Sequence, residues 1–224
     1  MTARGPAARR VGPRRPTGLV LFPGAGTSAD HPSLVAIERH LAEALPDLHV
    51  RRVDFPYRRE GRRAPDRAPV LVACVRAEVA RAAAEWGCGT ADLVIGGRSM
   101  GGRMCAMAVA GWSGRAGAGT PSGAAGVADE PPLAVAGLAC IAYPLHPPAR
   151  PASLRIAHLP DVRVPTLLVS GTRDEFGDRE ELAHHARAIA GPVTHAWIEG
   201  ARHSLTGRDA EVARHLSSWL ASLA

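Results

Sequence analysis

Short apolar runs alternate along the chain with longer amphipathic stretches. Residues 17–22 (TGLVLF), 48–55, 93–95, 133–142, 164–170 and 193–198 are brief and rich in leucine, valine and isoleucine, which predicts buried strands. Between them, Leu34, Ile37, Leu41 and Leu45 recur at helical spacing, with Asp30 as cap and Pro32 in the first turn. Residues 69–86 predict a second helix, a third follows residue 99 to about residue 112, and 179–190 predict a fourth. Val212, Leu216, Trp219, Leu220 and Leu223 share one face of the last. Strands alternating with helices predict an α/β domain, a mainly parallel sheet of about six strands with helices on both faces.

Three stretches fall outside the alternation. Residues 56–68 form a polar connection, and 143–163 a proline-rich one without helical period, too short for a helical lid or cap domain. Residues 113–132 are low in complexity, an expected mobile loop. That loop enters a strand, so it belongs at the end of the sheet away from ligand. Ligands of such sheets bind at the carboxyl ends of the strands, which here collects loops 23–30, 56–68, 97–101, 143–163, 171–178 and 199–208.

The chemistry sits in those loops. Gly97-Arg98-Ser99-Met100-Gly101 follows a buried strand and opens a helix, the context of a G-x-S-x-G nucleophile elbow. The residues two before and two after the serine press together in that turn, so they must lack side chains. A serine hydroxyl needs an imidazole to take its proton and a carboxylate to orient the imidazole. Asp174 lies just past the strand at 164–170, and His203 just past the strand at 193–198, in the chain order serine, acid, histidine. Glu175 and Asp178 are alternative acids; His184, His185 and His195 fall within elements and read as structural. Two oxyanion donors are expected, the amides of Met100 and of Ala25 in the glycine loop 23–27. Tyr143, Leu145 and His146 are expected at the mouth of the site, where packing of the connection onto the body is the other reading. Arg98 and Arg103 flank the elbow and either bind a substrate carboxylate or pair with loop acids. No metal or organic cofactor is implied.

Charge narrows the partners. The net charge is +6, but the first sixteen residues hold five arginines and no acid. The remainder is nearly balanced, with 22 arginines against 21 acids, which argues against a nucleic-acid-binding body. The expected organisation is a disordered basic tail over 1–16 and one domain over 17–224. Within the domain, residues 51–67 carry seven arginines against three acids. Arg58, Arg59, Arg62 and Arg63 lie at its site end, suggesting a preference for anionic esters or thioesters. Arg9-Arg10 and Arg14-Arg15 lack the apolar core and A-x-A site of an export signal. No apolar run approaches the roughly 18 residues that span a membrane. A cytoplasmic protein without membrane or nucleic-acid partner is expected, acting on a small acyl substrate. The four cysteines lack metal-ligand spacing and read as free, largely buried thiols.

Four stretches carry a resemblance: LFPGAGTSADHPSL, GGRSMGGRMCAMAVA, AYPLHPPARPASLRIAHLPDVRVPTLLVSGTRDEFG and GARHSL. They resemble the α/β-hydrolase superfamily, in its small lidless branch near dienelactone hydrolases. More closely, they are similar to the branch of the testis-expressed α/β-hydrolase-like protein and a regulatory subunit of the NSL histone acetyltransferase complex. The resemblance implies Ser99, Asp174 and His203 as a triad and cleavage of an ester or thioester through an acyl-enzyme. Pro23-Gly24 stands where the family usually has His-Gly, and Ser99 where dienelactone hydrolases use cysteine. A non-catalytic interaction protein on the same fold is the alternative; such a protein has no need of all three residues.

Overall fold

The computed structural model describes residues 15–114 and 129–223. Most of the expected tail, and residues 115–128 of the expected loop, lie outside the described residues. The elements run β1 (Gly18–Phe22), α1 (Pro32–Ala44), β2 (His49–Arg52), α2 (Pro56–Arg59), α3 (Ala68–Glu85), β3 (Leu93–Arg98), α4 (Met100–Val109), β4 (Gly137–Ile141), β5 (Thr166–Gly171), α5 (Arg179–Ala186), β6 (Val193–Ile198) and α6 (Asp209–Ser222). The six strands form one sheet in the order β2-β1-β3-β4-β5-β6, every neighbouring pair parallel.

The alternation of side chains along each strand divides the core in two. Val20, Phe22, Leu93, Ile95, Leu138, Cys140 and Leu168 face a layer built from α3, α4 and α5. Leu19, Leu21, Val94, Ala139, Ile141, Leu167 and Val169 face the opposite layer, α1 and α6. Because both faces are covered, the central strands β1, β3, β4 and β5 are buried along their whole length and largely apolar, whereas the edge strands β2 and β6 carry polar residues. β1 sends the chain outward to β2, whereas β3 and its successors move the other way. The sheet therefore reverses direction between β1 and β3, and the loops after these strands diverge around a crevice. That crevice holds the elbow.

Several boundaries differ from the sequence reading. β4 begins at Gly137, because Pro131 and Pro132 cannot join a ladder and Leu133 instead donates its amide to Ala108 at the end of α4. The cap of α1 is His31, whose ring accepts from the Ser33 amide, while Asp30 pairs with Arg52. The connection at 56–68 opens with the single helical turn α2, which buries Tyr57 against Phe55. Residues 143–163 carry one short 3-10 turn, Leu159–Asp161, and no cap domain. All four thiols are free, and burial pushes Cys74 up to about 11 and Cys140 up to about 12.

His158 makes a testable contribution to acid stability. Burial, reinforced by Arg103, holds its imidazole down at about 3 against an ordinary value of 6.5. Below pH 6.5 the unfolded chain binds a proton that the folded chain refuses until about pH 3. Stability thus falls on acidification, with up to about 1.4 kcal/mol lost per pH unit from this group. Burial depresses His31 and His195 in the same direction. Urea unfolding between pH 7 and pH 4.5 checks this: His158→Gln is expected to flatten the slope by about one proton. Equal slopes would place the acid sensitivity elsewhere.

Candidate active site

Ser99 separates β3 from α4 with φ 49° and ψ −114°, a left-handed conformation that a side chain rarely adopts. Its amide donates to the Ile141 carbonyl at the end of β4, at 2.8 Å. A Cβ on Gly97 would stand 2.3 Å from the Phe22 carbonyl oxygen and 3.0 Å from the Gly101 carbonyl carbon. One on Gly101 would stand 2.4 Å from the same Phe22 oxygen. The two glycines let the turn press against the end of β1 and keep Ser99 raised above the sheet.

The acid and the histidine arrive from adjacent strands. A Cβ on Gly171, at the end of β5, would lie 2.2 Å from the Ala201 carbonyl oxygen, so the loops after β5 and β6 touch backbone to backbone. Thr172 and Arg173 donate their amides to Ile198 and Ala201, at 3.1 and 3.0 Å. This contact brings Asp174, whose carboxylate is fully buried, to His203 Nδ1, with both carboxylate oxygens at 2.9 Å. His203 Nε2 lies 2.9 Å from Ser99 Oγ. Phe176 stacks on the imidazole with ring centroids 4.0 Å apart, and its amide donates to Asp174 Oδ1 at 2.8 Å.

The alternative acids have other partners. Asp178 caps α5, accepting from the amides of Glu180 and Glu181 at 2.9 and 3.0 Å. Glu175 accepts the His203 amide at 3.2 Å and meets Arg202. Its own amide above all, with lesser help from the His203 amide and Arg202, holds its carboxyl below the usual range, against burial, which is the second-largest effect.

The glycine loop closes the other side. A Cβ on Gly24 would lie 3.6 Å from Ser99 Cβ, so the loop runs directly beside the hydroxyl. Ala25 is exposed there, and Met100 opens α4. Among the described residues, neither amide donates to a protein acceptor. Tyr57, within the polar connection at 56–68, accepts the Gly26 amide on its hydroxyl at 3.2 Å. Its signal was the aromatic pair Phe55 and Tyr57 in a chain with few aromatics, continuing a stack whose first member is Phe22.

Other expectations are corrected. Arg98 is 8% exposed and does not face the crevice. It donates to the carbonyls of His203, at 3.3 Å, and Ser204, and reaches Ser33 Oγ at 3.4 Å. Tyr143 is 2% exposed, with its hydroxyl on the Arg155 carbonyl at 2.8 Å and 3.1 Å from His158 Nε2. His146 is 5% exposed, its ring 3.0 Å from the Pro147 carbonyl and 3.5 Å from Glu181. Leu145 is buried under Gly177. These three pack the connection onto the body and do not line a mouth. The basic loop is also largely neutralised: Arg59 pairs with Glu78 at 2.7 Å, and Arg62 with Glu60 and Asp66 at 2.6 and 2.8 Å. A cleft of about 540 Å³ lies between α1 and the start of α6, and Ser99, Asp174 and His203 do not line it.

A family model described as an alpha/beta hydrolase domain matches residues 15–222. Among solved structures, an alpha-beta serine hydrolase homologue from Coxiella burnetii is similar at 20% identity and a TM-score of 0.64, over 94% of this chain and 88% of that one. Est1E from Butyrivibrio proteoclasticus is similar at 13% identity and a TM-score of 0.68, over 96% and 90%. The esterase domain of a Rhodothermus marinus protein follows at 19% and 0.61, over 92% and 87%. At these identities the structures speak for the fold. The matches do not single out the testis-expressed and NSL-complex branch.

Proposed function

This chain belongs to the alpha/beta hydrolase domain family, and we propose that it is a serine hydrolase cleaving a carboxylic ester or thioester of a small substrate. The carrying observation is the continuous line from Asp174 through His203 to Ser99 Oγ, every step at 2.9 Å. Ser99 Oγ attacks the acyl carbon while His203 Nε2 takes its proton. Asp174 holds Nδ1–H, which leaves the Nε2 lone pair toward the hydroxyl and stabilises the imidazolium as it forms. The amides of Met100 and Ala25 receive the oxyanion. Collapse of the tetrahedral adduct expels the alcohol or thiol, protonated by His203, and leaves an acyl-serine. Water, deprotonated by His203, attacks that ester and restores Ser99.

No cap covers the crevice among the described residues, which suits short acyl groups better than long lipid chains. Among the described residues, no helix is long and apolar enough to cross a membrane. Labelling by a fluorophosphonate probe is the test: the wild type is expected to label and Ser99→Ala not to, alongside turnover of short p-nitrophenyl esters. A folded wild type that neither labels nor turns over would favour the non-catalytic interaction protein.

A further inference from the structure

One turn into α4, Arg103 donates its backbone amide to the Ser99 carbonyl at 3.1 Å. Its side chain is a cation without a counterion among the described residues. Nε is buried with no hydrogen-bond partner, and Nη1 meets only the Met107 sulfur at 3.8 Å. All 21 acidic residues of the chain lie among the described residues, and none pairs with Arg103. Its surroundings add no negative charge. Tyr143 is protonated, its hydroxyl driven further up by burial, and His158 is neutral. The nearby charge is a second cation, Arg155, whose backbone is fixed by its amide on the Leu145 carbonyl at 2.7 Å and by the Tyr143 hydroxyl on its own carbonyl. Arg155 likewise has no carboxylate partner among the described residues.

Arg98 is satisfied by carbonyls, and Arg59 and Arg62 by carboxylates, whereas Arg58 meets the Arg62 carbonyl and leaves its Nε without a partner. A desolvated, unpaired guanidinium is costly, and near a helix N-terminus the macrodipole adds to the cost. Burial accordingly lowers the proton affinity of Arg103, and of Arg155 to the same sign. An anion supplied from outside the chain would balance such a pair, and a carboxylate matches the guanidinium fork.

We propose that Arg103, with Arg155 beside it, forms a carboxylate subsite one turn of α4 beyond Ser99, so that the preferred substrates are esters or thioesters that also bear a free carboxylate. The proposal rests on the serine-hydrolase reading for its substrate, but its binding test does not need a turnover. Glutarate serves as the probe, with dimethyl glutarate as the uncharged control and inorganic phosphate as the competing anion, all at constant ionic strength. Glutarate is expected to raise the melting temperature of the full chain and to slow fluorophosphonate labelling of Ser99, whereas the diester does neither. In Arg103→Met the glutarate concentration for half effect rises by about tenfold or more. Arg155→Gln, on a less buried side chain, gives a smaller rise and keeps the test available should Arg103→Met fail to fold. No wild-type response to glutarate, an undiminished response in the folded variants, or a stronger response to phosphate would each overturn the carboxylate subsite. If the wild type does not label, the hydrolase reading fails while the melting shift still reports on the arginines.

Discussion

Asp174→Asn is expected to give a folded protein whose turnover of short p-nitrophenyl esters is lower by about 10⁴-fold. The substitution is nearly isosteric, and the amide oxygen can still accept the Phe176 amide that Asp174 Oδ1 now accepts. What changes is the second atom, which becomes a donor aimed at His203 Nδ1. A donor there requires Nδ1 to be the acceptor, which puts the ring proton on Nε2. Nε2–H then donates to Ser99 Oγ across the present 2.9 Å contact and cannot take its proton. Loss of the negative charge also leaves the developing imidazolium without a partner in a buried site. The effect should fall on kcat, with KM and melting temperature moving little. Steady-state kinetics beside a thermal melt separates the outcomes: near-wild-type kcat would mean that Asp174 does not set the tautomer, and collapse of the fold would make its role structural.

The positions of Ser99, Asp174 and His203 could be read from the chain because each depends on a strand end. A short apolar run fixes where a strand stops, and in a parallel sheet every such end opens on one side. Their order and spacing then suffice to bring them to one crevice. The neighbouring arginines could not be sorted by the same logic. Arg98 follows Val94 and Gly96 at a period of two, so it leaves the sheet toward α1 and α6, while Arg103 sits a turn into α4 and meets the opposite layer. Both flank the elbow in sequence; the sheet separates them. Tyr143 and His146 failed as mouth residues for a related reason. A proline-rich connection shows no period, and only tertiary contacts decide which of its side chains turn inward. Tyr57 was obscured by the arginines around it, which are themselves half tied to Glu60, Asp66 and Glu78.

Arg98→Met carries the other large expectation: a loss of about 10²- to 10³-fold in kcat on a short ester, with KM little changed. His203 is held at three points, its ring by Asp174, its amide by Glu175 and its carbonyl by Arg98. The third hold matters because the loop beyond is not relaxed. Leu205, two residues on, is fully buried with φ 48°, a conformation maintained only if the surrounding contacts impose it. Arg98 supplies those contacts to His203 and Ser204, and binds the loop through Ser33 to the start of α1. Methionine keeps the length of the stem and removes every donor, leaving two carbonyls to find water and the loop free to shift. A displacement of about 1 Å at the imidazole costs on the order of 10² in rate, and loss of the buried hydrogen bonds about 2–4 kcal/mol in stability. Arg98→Lys restores one donor and should recover part of both. A purely structural arginine would lower the melting temperature and leave kcat intact in the folded fraction, and that result would remove Arg98 from the positioning of His203.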